Sequence, residues 1–255
     1  VIADPLRRQL GIALLAGSTL LAELILTRVL SAGLYHHIAF VVLSTALLGT
    51  GVAAVVVSLR AGAGLSLEPL VGPSALAFAL GLPLCFSASQ WVGAEPLMLA
   101  EDPVQALKMG LTYVLLALPF FLAGLSIAAL LTAHAQDAPA LYGADLIGAA
   151  AGSLLGLFAV QLAHGQDALW LASAGAAAAS SLLWAAGAGR LRAAAVGAIL
   201  AIVCLLRLGV SSDAWLPLHI SASKVTRGGQ PFSQVLADRQ LTRSTTWTPG
   251  ARVDR

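Results

Sequence analysis

The sequence predicts an all-α integral membrane protein: a bundle of about seven transmembrane helices with a short, partly extended C-terminal tail. Two observations predict it. Of 255 residues, 58% are hydrophobic and only 10% are charged, with a mean hydropathy of +0.88, whereas an ordinary soluble domain is about 25% charged. The apolar residues also gather into seven runs, each close to the ~20 residues that cross a ~30 Å hydrocarbon core at ~1.5 Å per residue.

The runs lie near 9–33, 37–59, 70–89, 109–132, 141–163, 166–187 and 193–210. Gly62 and Gly64, Pro139, Gly165, and Gly187 with Gly189 punctuate the gaps, as residues that end helices and form turns. Residues 1–210 are thus expected to form a helical transmembrane domain and 211–255 a soluble tail. Arg7-Arg8 ahead of the first run is reminiscent of a signal peptide. Glu23 and Arg28 interrupt that run, however, and no small-residue cleavage site follows, so a retained first transmembrane helix is predicted. The stretch 89–108, SQWVGAEPLMLAEDPVQALK, is too polar to span and predicts a loop with a short interfacial helix, Trp91 lying at headgroup depth.

Lys and Arg give the orientation. Arg7, Arg8, Arg60, Arg190 and Arg192 fall in alternate connections, which predicts a cytoplasmic amino terminus. Seven crossings then put the tail outside, yet the tail carries Lys224, Arg227, Arg239, Arg243, Arg252 and Arg255. Either one span is miscounted or the tail is exported. A net charge of +2 argues against a nucleic-acid surface. Cys85 and Cys204 lie in apolar runs without a CxxC motif and are read as packed thiols.

Gly148, Gly152 and Gly156 recur every four residues, a small-residue stripe that in lipid lets two helix backbones approach closely. The Gly49-Thr50-Gly51 sequence lies inside an apolar run with no strand before it, and is likewise read as close packing. The intramembrane charges are the candidates for function. Glu23 lies ~21 Å along the first helix and is expected to face protein, accepting a hydrogen bond from a neighbouring helix. Arg28 is about 140° away around the helix, too far for an ideal pair, and is expected to snorkel to the outer interface. His36 and His37 fall in the tight first connection, where adjacent side chains diverge and suit an interfacial pair better than a metal site. Asp145 is placed near the positive end of the fifth helix dipole. Glu23 and Asp145 are the candidate substrate-binding residues, expected at opposite sides of the membrane. No metal site, cofactor or catalytic residue is predicted.

The stretch LAELILTRVLSAGLYHHIAFVVLSTALLGTGVAA resembles the first two helices of multi-spanning bacterial proteins whose membrane part precedes a spermidine synthase-like (polyamine aminopropyltransferase-like) domain. The matching features are Glu23, Thr27-Arg28, Tyr35-His36-His37 and Ser44-x-Ala46-Leu47-Leu48-Gly49-x-Gly51. PFFLAGLSIAALLT from Pro119 and LYGADLIGAAAGSLLG from Leu141 are similar to the fourth and fifth helices of that family. The tail resembles the lead-in to the synthase domain, with Ser221 to Lys224 followed by an Arg252-Val253-Asp254 strand.

The resemblance implies a multi-pass protein of the bacterial inner, cytoplasmic membrane. In such synthases the Gly-rich nucleoside loop and the acidic substrate residues come after this point, so none is carried over. The tail itself offers only Asp213, Asp238 and Asp254, too little to hold and deprotonate a cationic amine. Three functions are therefore weighed: a membrane anchor or scaffold of a spermidine synthase-like protein; a transporter or channel for a small cation such as a polyamine; and an aminopropyltransferase whose catalytic domain lies outside this chain. The expected partners are the lipid bilayer and other membrane subunits or a soluble domain of the same protein.

Overall fold

A computed structural model describes residues 4–33, 38–99, 101–163, 165–184, 190–208, 216, 218–219, 245–247 and 252–254. They form seven α-helices: α1 Asp4–Gly33, α2 Ile38–Gly62, α3 Glu68–Val92, α4 Val104–Ala133, α5 Ala138–Leu162, α6 Leu169–Leu183 and α7 Arg190–Arg207. Each occupies one of the seven apolar runs. Five of them, α1 to α5, are long and apolar enough to cross a membrane.

The other two differ from expectation for local reasons. The sixth run reaches from 166 to 187, but α6 has only 15 residues, ~22 Å of helix. A 3-10 turn over Gly165–Ala168 precedes it, entered through Gly165 at φ 75°, a left-handed conformation that glycine adopts without penalty. Trp184 then ends the helix in an extended conformation. Helix α7 has 18 residues, and within it Ala194–Arg207 forms a shorter apolar helix.

The polar stretch 89–108 also contracts. Helix α3 continues through Val92 and α4 begins at Val104, leaving a loop that contains the 3-10 segment Pro96–Met98. Polar Gln90 and Gln105 can belong to the helices because both are buried and hydrogen-bonded within protein, as set out below. Trp91 is 80% exposed at the end of α3.

Contacts between glycines and their neighbours give the helix directions. Gly148 meets Ala13, Gly152 meets Gly17 and Gly156 meets Leu24, so α1 and α5 run parallel. Gly11 meets Leu183 and Gly175 meets Ser18, so α6 runs antiparallel to α1. Gly49 lies against Ala117 and Phe121 while Gly124 lies against Thr50 and Ala53, making α2 and α4 parallel. The core between these helices is filled by Phe78, Phe86, Phe120, Ile12, Leu15 and Ile25, all fully buried. Phe40, Leu107, Ile147 and Leu154 point outward and are more than 60% exposed, an apolar exterior that suits lipid rather than water.

Many hydroxyls inside the bundle are satisfied locally, as suits a medium without water, although those of Thr112 and Ser173 are buried with no hydrogen-bond partner among the described residues. Ser18 donates to the Leu14 carbonyl at 2.7 Å and Thr19 to Leu15 at 2.8 Å. Two serines instead bridge helices. Ser126 of α4 donates to the Val71 carbonyl at 2.7 Å and Ser180 of α6 to the Gly72 carbonyl at 3.0 Å, tying both to the start of α3. In the tail, β1 (Thr245–Trp247) pairs antiparallel with β2 (Arg252–Asp254), Thr246 opposite Val253. Arg252-Val253-Asp254 is thus a strand, while Ser221 and Lys224 lie outside the described residues.

Candidate functional site

At the α1–α5 seam two helix backbones approach closely. A Cβ added at Gly148 would fall on the Ala13 backbone, and one at Gly152 on the Gly17 carbonyl. Reciprocally, a Cβ at Gly17 would lie 2.8 Å from the Gly148 oxygen, and one at Gly156 would lie 2.7 Å from the Leu24 side chain. Both helices therefore contribute small residues at four-residue spacing, which is how helices associate where apolar burial gives no net drive. Of the Gly49-Thr50-Gly51 sequence only half behaves this way. A Cβ at Gly49 would sit 2.5 Å from the Ala117 oxygen, whereas nothing lies within 4 Å at Gly51, so close packing explains the first glycine and not the second.

Arg28 closes this seam. Its Nη1 donates to the carbonyls of Gly156 at 3.1 Å and Leu157 at 2.9 Å. Rather than only snorkelling to an interface, it is an interhelical tie, because the face of α1 that carries Gly17 and Leu24 also carries residue 28 at helical spacing.

Glu23 and Asp145 are not brought together. Gly148 is level with Ala13, so Asp145 is level with about residue 10 of α1, ~20 Å from Glu23 along the axis. Both are half-buried. Neither has a hydrogen-bond or ion-pair partner among the described residues, so the hydrogen bond expected for Glu23 is not found there. Glu23 lies about 110° around α1 from the Gly17–Leu24–Arg28 face, turned away from the α5 seam. Asp145 is seven residues past Ala138, beyond the first turn where the helix dipole acts, which corrects its assignment to a dipole site. His36 and His37 lie outside the described residues.

The charged and polar groups instead collect at the two ends of the bundle. At the end holding the amino terminus, Arg7 Nη1 donates to the Leu182 carbonyl at 2.5 Å and to Trp184 at 3.0 Å, joining α1 to the end of α6. Arg8 Nη2 lies 3.6 Å from Asp137, and His134 Nε2 3.8 Å from Glu68. Arg7, Arg8, Glu68 and His134 line, with Asp4, a cavity of about 180 Å³.

At the far end, a network joins the α3–α4 loop to the start of the tail. The His219 backbone N–H donates to Gln90 Oε1 at 3.0 Å, and its ring Nε2 lies 3.0 Å from Glu95 Oε1. Gln90 donates in turn to Ser89 at 3.0 Å. Gln105 accepts from the Glu95 N–H at 3.0 Å and donates to Asp102 at 3.2 Å. Asp102 Oδ1 accepts from the Val104 N–H at 3.0 Å, satisfying a donor at the start of α4. Leu216 is buried, and the His219 carbonyl lies so close to Gly33 that a Cβ there would be 2.7 Å from it. No spacing or motif in the sequence connects His219 with residues 129 and 124 positions away. Asp167, 5% exposed and the one carboxylate classed as buried among the described residues, was also unmarked by any motif.

Among the described residues no group of three His, Cys, Asp or Glu side chains could hold a metal ion. No family model, curated protein or solved structure matches the chain.

Proposed function

We propose that the chain is the membrane-embedded anchor of a spermidine synthase-like protein, a bundle that holds a synthase-like domain or a larger membrane complex and supplies no catalytic residue itself. The observation that carries this reading is the docking of the tail. Leu216, Leu218 and His219 are seated against the far end of the bundle, opposite the end with Arg7 and Arg8. A segment that leaves the last helix and is clamped at once gives whatever follows a fixed position relative to the membrane. The α1–α5 seam supports the same reading, since interlocked backbones suit a rigid support.

In this proposal all seven helices cross, the short α6 enclosed by its neighbours and the short α7 on the outside of the bundle, where Leu191, Ile199 and Leu206 are exposed. The amino terminus is cytoplasmic, with Arg7, Arg8 and Arg60 on that side, and the start of the tail lies on the opposite face of a bacterial inner membrane. The transporter reading retains one observation in its favour, the two half-buried carboxylates without partners among the described residues, but their ~20 Å separation along the bundle leaves each isolated from the other.

The test is the intact mass of the natively purified protein with peptide mapping beyond Arg255. A mass well above 25.9 kDa, with peptides bearing a Gly-rich acidic loop, supports the anchor of a synthase-like enzyme. A mass near that value, with no co-purifying membrane subunit, overturns it.

A further inference from the structure

We propose that the cavity at the amino-terminal end of the bundle is a binding site for a phosphate-type oxyanion, with Arg8 as its principal donor. The cavity, about 180 Å³, is lined by Asp4, Arg7, Arg8, Glu68 and His134 over an apolar floor that includes Val71 and Leu130. Its charges are sorted by depth. The Arg7, Arg8 and His134 side chains are only 12%, 21% and 17% exposed, whereas the carboxylates opposite them, Asp4, Asp137 and Glu68, are 66%, 52% and 61% exposed. The basic side chains therefore lie deeper than their acidic partners.

The deeper groups are not equally engaged. Arg7 is committed to the Leu182 and Trp184 carbonyls. Among the described residues Arg8 makes one ion pair, at 3.6 Å, too long for a good hydrogen bond, and its buried Nε–H has no hydrogen-bond partner. A buried guanidinium donor left unmade is costly, and its fork of N–H groups can meet two oxygens of a phosphate bidentately. His134 points the same way. Its Nδ1 faces the Leu130 carbonyl at 3.3 Å, and its Nε2 stands 3.8 Å from Glu68, beyond hydrogen-bond reach. With a proton on Nε2, that nitrogen can serve an anion as a second donor.

The phosphate could be that of an anionic lipid headgroup or a free phosphate, and the two are separable by experiment. Protein in phosphatidylcholine nanodiscs is titrated with inorganic phosphate by calorimetry. In parallel, protein in mixed phosphatidylglycerol and phosphatidylcholine is examined by native mass spectrometry for retained phosphatidylglycerol. Arg8→Gln should weaken whichever ligand binds by at least 10-fold, whereas Arg60→Gln, an arginine that bonds Ser66 outside the cavity, should leave it within 2-fold. Saturable phosphate binding lost in Arg8→Gln identifies a free-phosphate site, and retained phosphatidylglycerol lost in Arg8→Gln identifies a headgroup site. Should Arg8→Gln fail to yield folded protein, Arg8→Lys and His134→Gln replace it, each expected to weaken binding at least 3-fold. Binding of neither ligand, or binding equally sensitive to Arg60→Gln, overturns the proposal.

Discussion

The α1–α5 seam and the far-end network hold the chain together by opposite means. The seam uses two helices whose contact residues have almost no side chain, so that carbonyls and Cα atoms of Ala13, Gly17, Gly148 and Gly152 touch directly. The network uses long polar side chains, Gln90, Glu95, Gln105 and His219, that reach across a loop and a tail. The first tolerates no added atom, while the second loses one bond at a time. That difference sets the order of the expected effects.

The largest effect belongs to the seam. Gly152→Leu would drive a side chain into the Gly17 backbone, and neither helix can yield without moving its whole length. A loss of about 3 kcal/mol or more is expected, read as a collapse of folded yield or of the melting temperature in detergent. Arg28→Ala comes next. It removes two charge-assisted bonds to the Gly156 and Leu157 carbonyls, but those sites are partly exposed, so a loss of about 1–2 kcal/mol is expected. A seam that melted as well after Gly152→Leu as before would mean that α1 and α5 do not pack as described.

The network should give smaller losses with a local signature. His219→Ala removes the contact with Glu95 but keeps the backbone bond to Gln90. About 1 kcal/mol is expected, and limited proteolysis should cut the chain faster just after α7 while leaving the helices protected. Equal protection of the tail in variant and native protein would show that His219 does not hold it. The α2–α4 contact offers a finer version of the seam test. Gly49→Ala should destabilise, because its Cβ meets the Ala117 oxygen, whereas Gly51→Ala meets nothing and should stabilise by about 0.5 kcal/mol through the lower entropy cost of alanine in a helix.

The two regions also differ in how far they were legible in the sequence. Gly148, Gly152 and Gly156 form one periodic pattern on one helix, so the stripe could be read locally, although its partner Ala13–Gly17 could not. Helix positions were legible for the same reason: apolar length is a local property. The far-end network draws on residues 90, 95, 105 and 219, which no local spacing relates, and only the alternation of helix direction brings α3, α4 and the tail to one end. Arg28 was visible as a charge but its role was not, because its acceptors are ordinary backbone carbonyls on another helix. Gly49 and Gly51 looked alike in sequence and differ only in what stands opposite them.

Glu23 gives the smallest expected effect on stability and the sharpest one on function. With no hydrogen-bond partner among the described residues, Glu23→Gln removes no interaction and leaves a side chain of nearly the same volume, so a change within about 0.5 kcal/mol is expected. An anchor should accordingly keep its fold and hold its soluble part as before. A carrier of small cations should lose substrate movement, because an intramembrane carboxylate on the pathway must be able to ionise and glutamine cannot. Uptake of a labelled polyamine into proteoliposomes, compared between native protein and Glu23→Gln at equal melting temperature, separates the two. Uptake by the native protein that disappears in the variant would overturn the anchor as a sufficient account, since a support that packs as tightly as the α1–α5 seam has no need of an ionisable group at that depth.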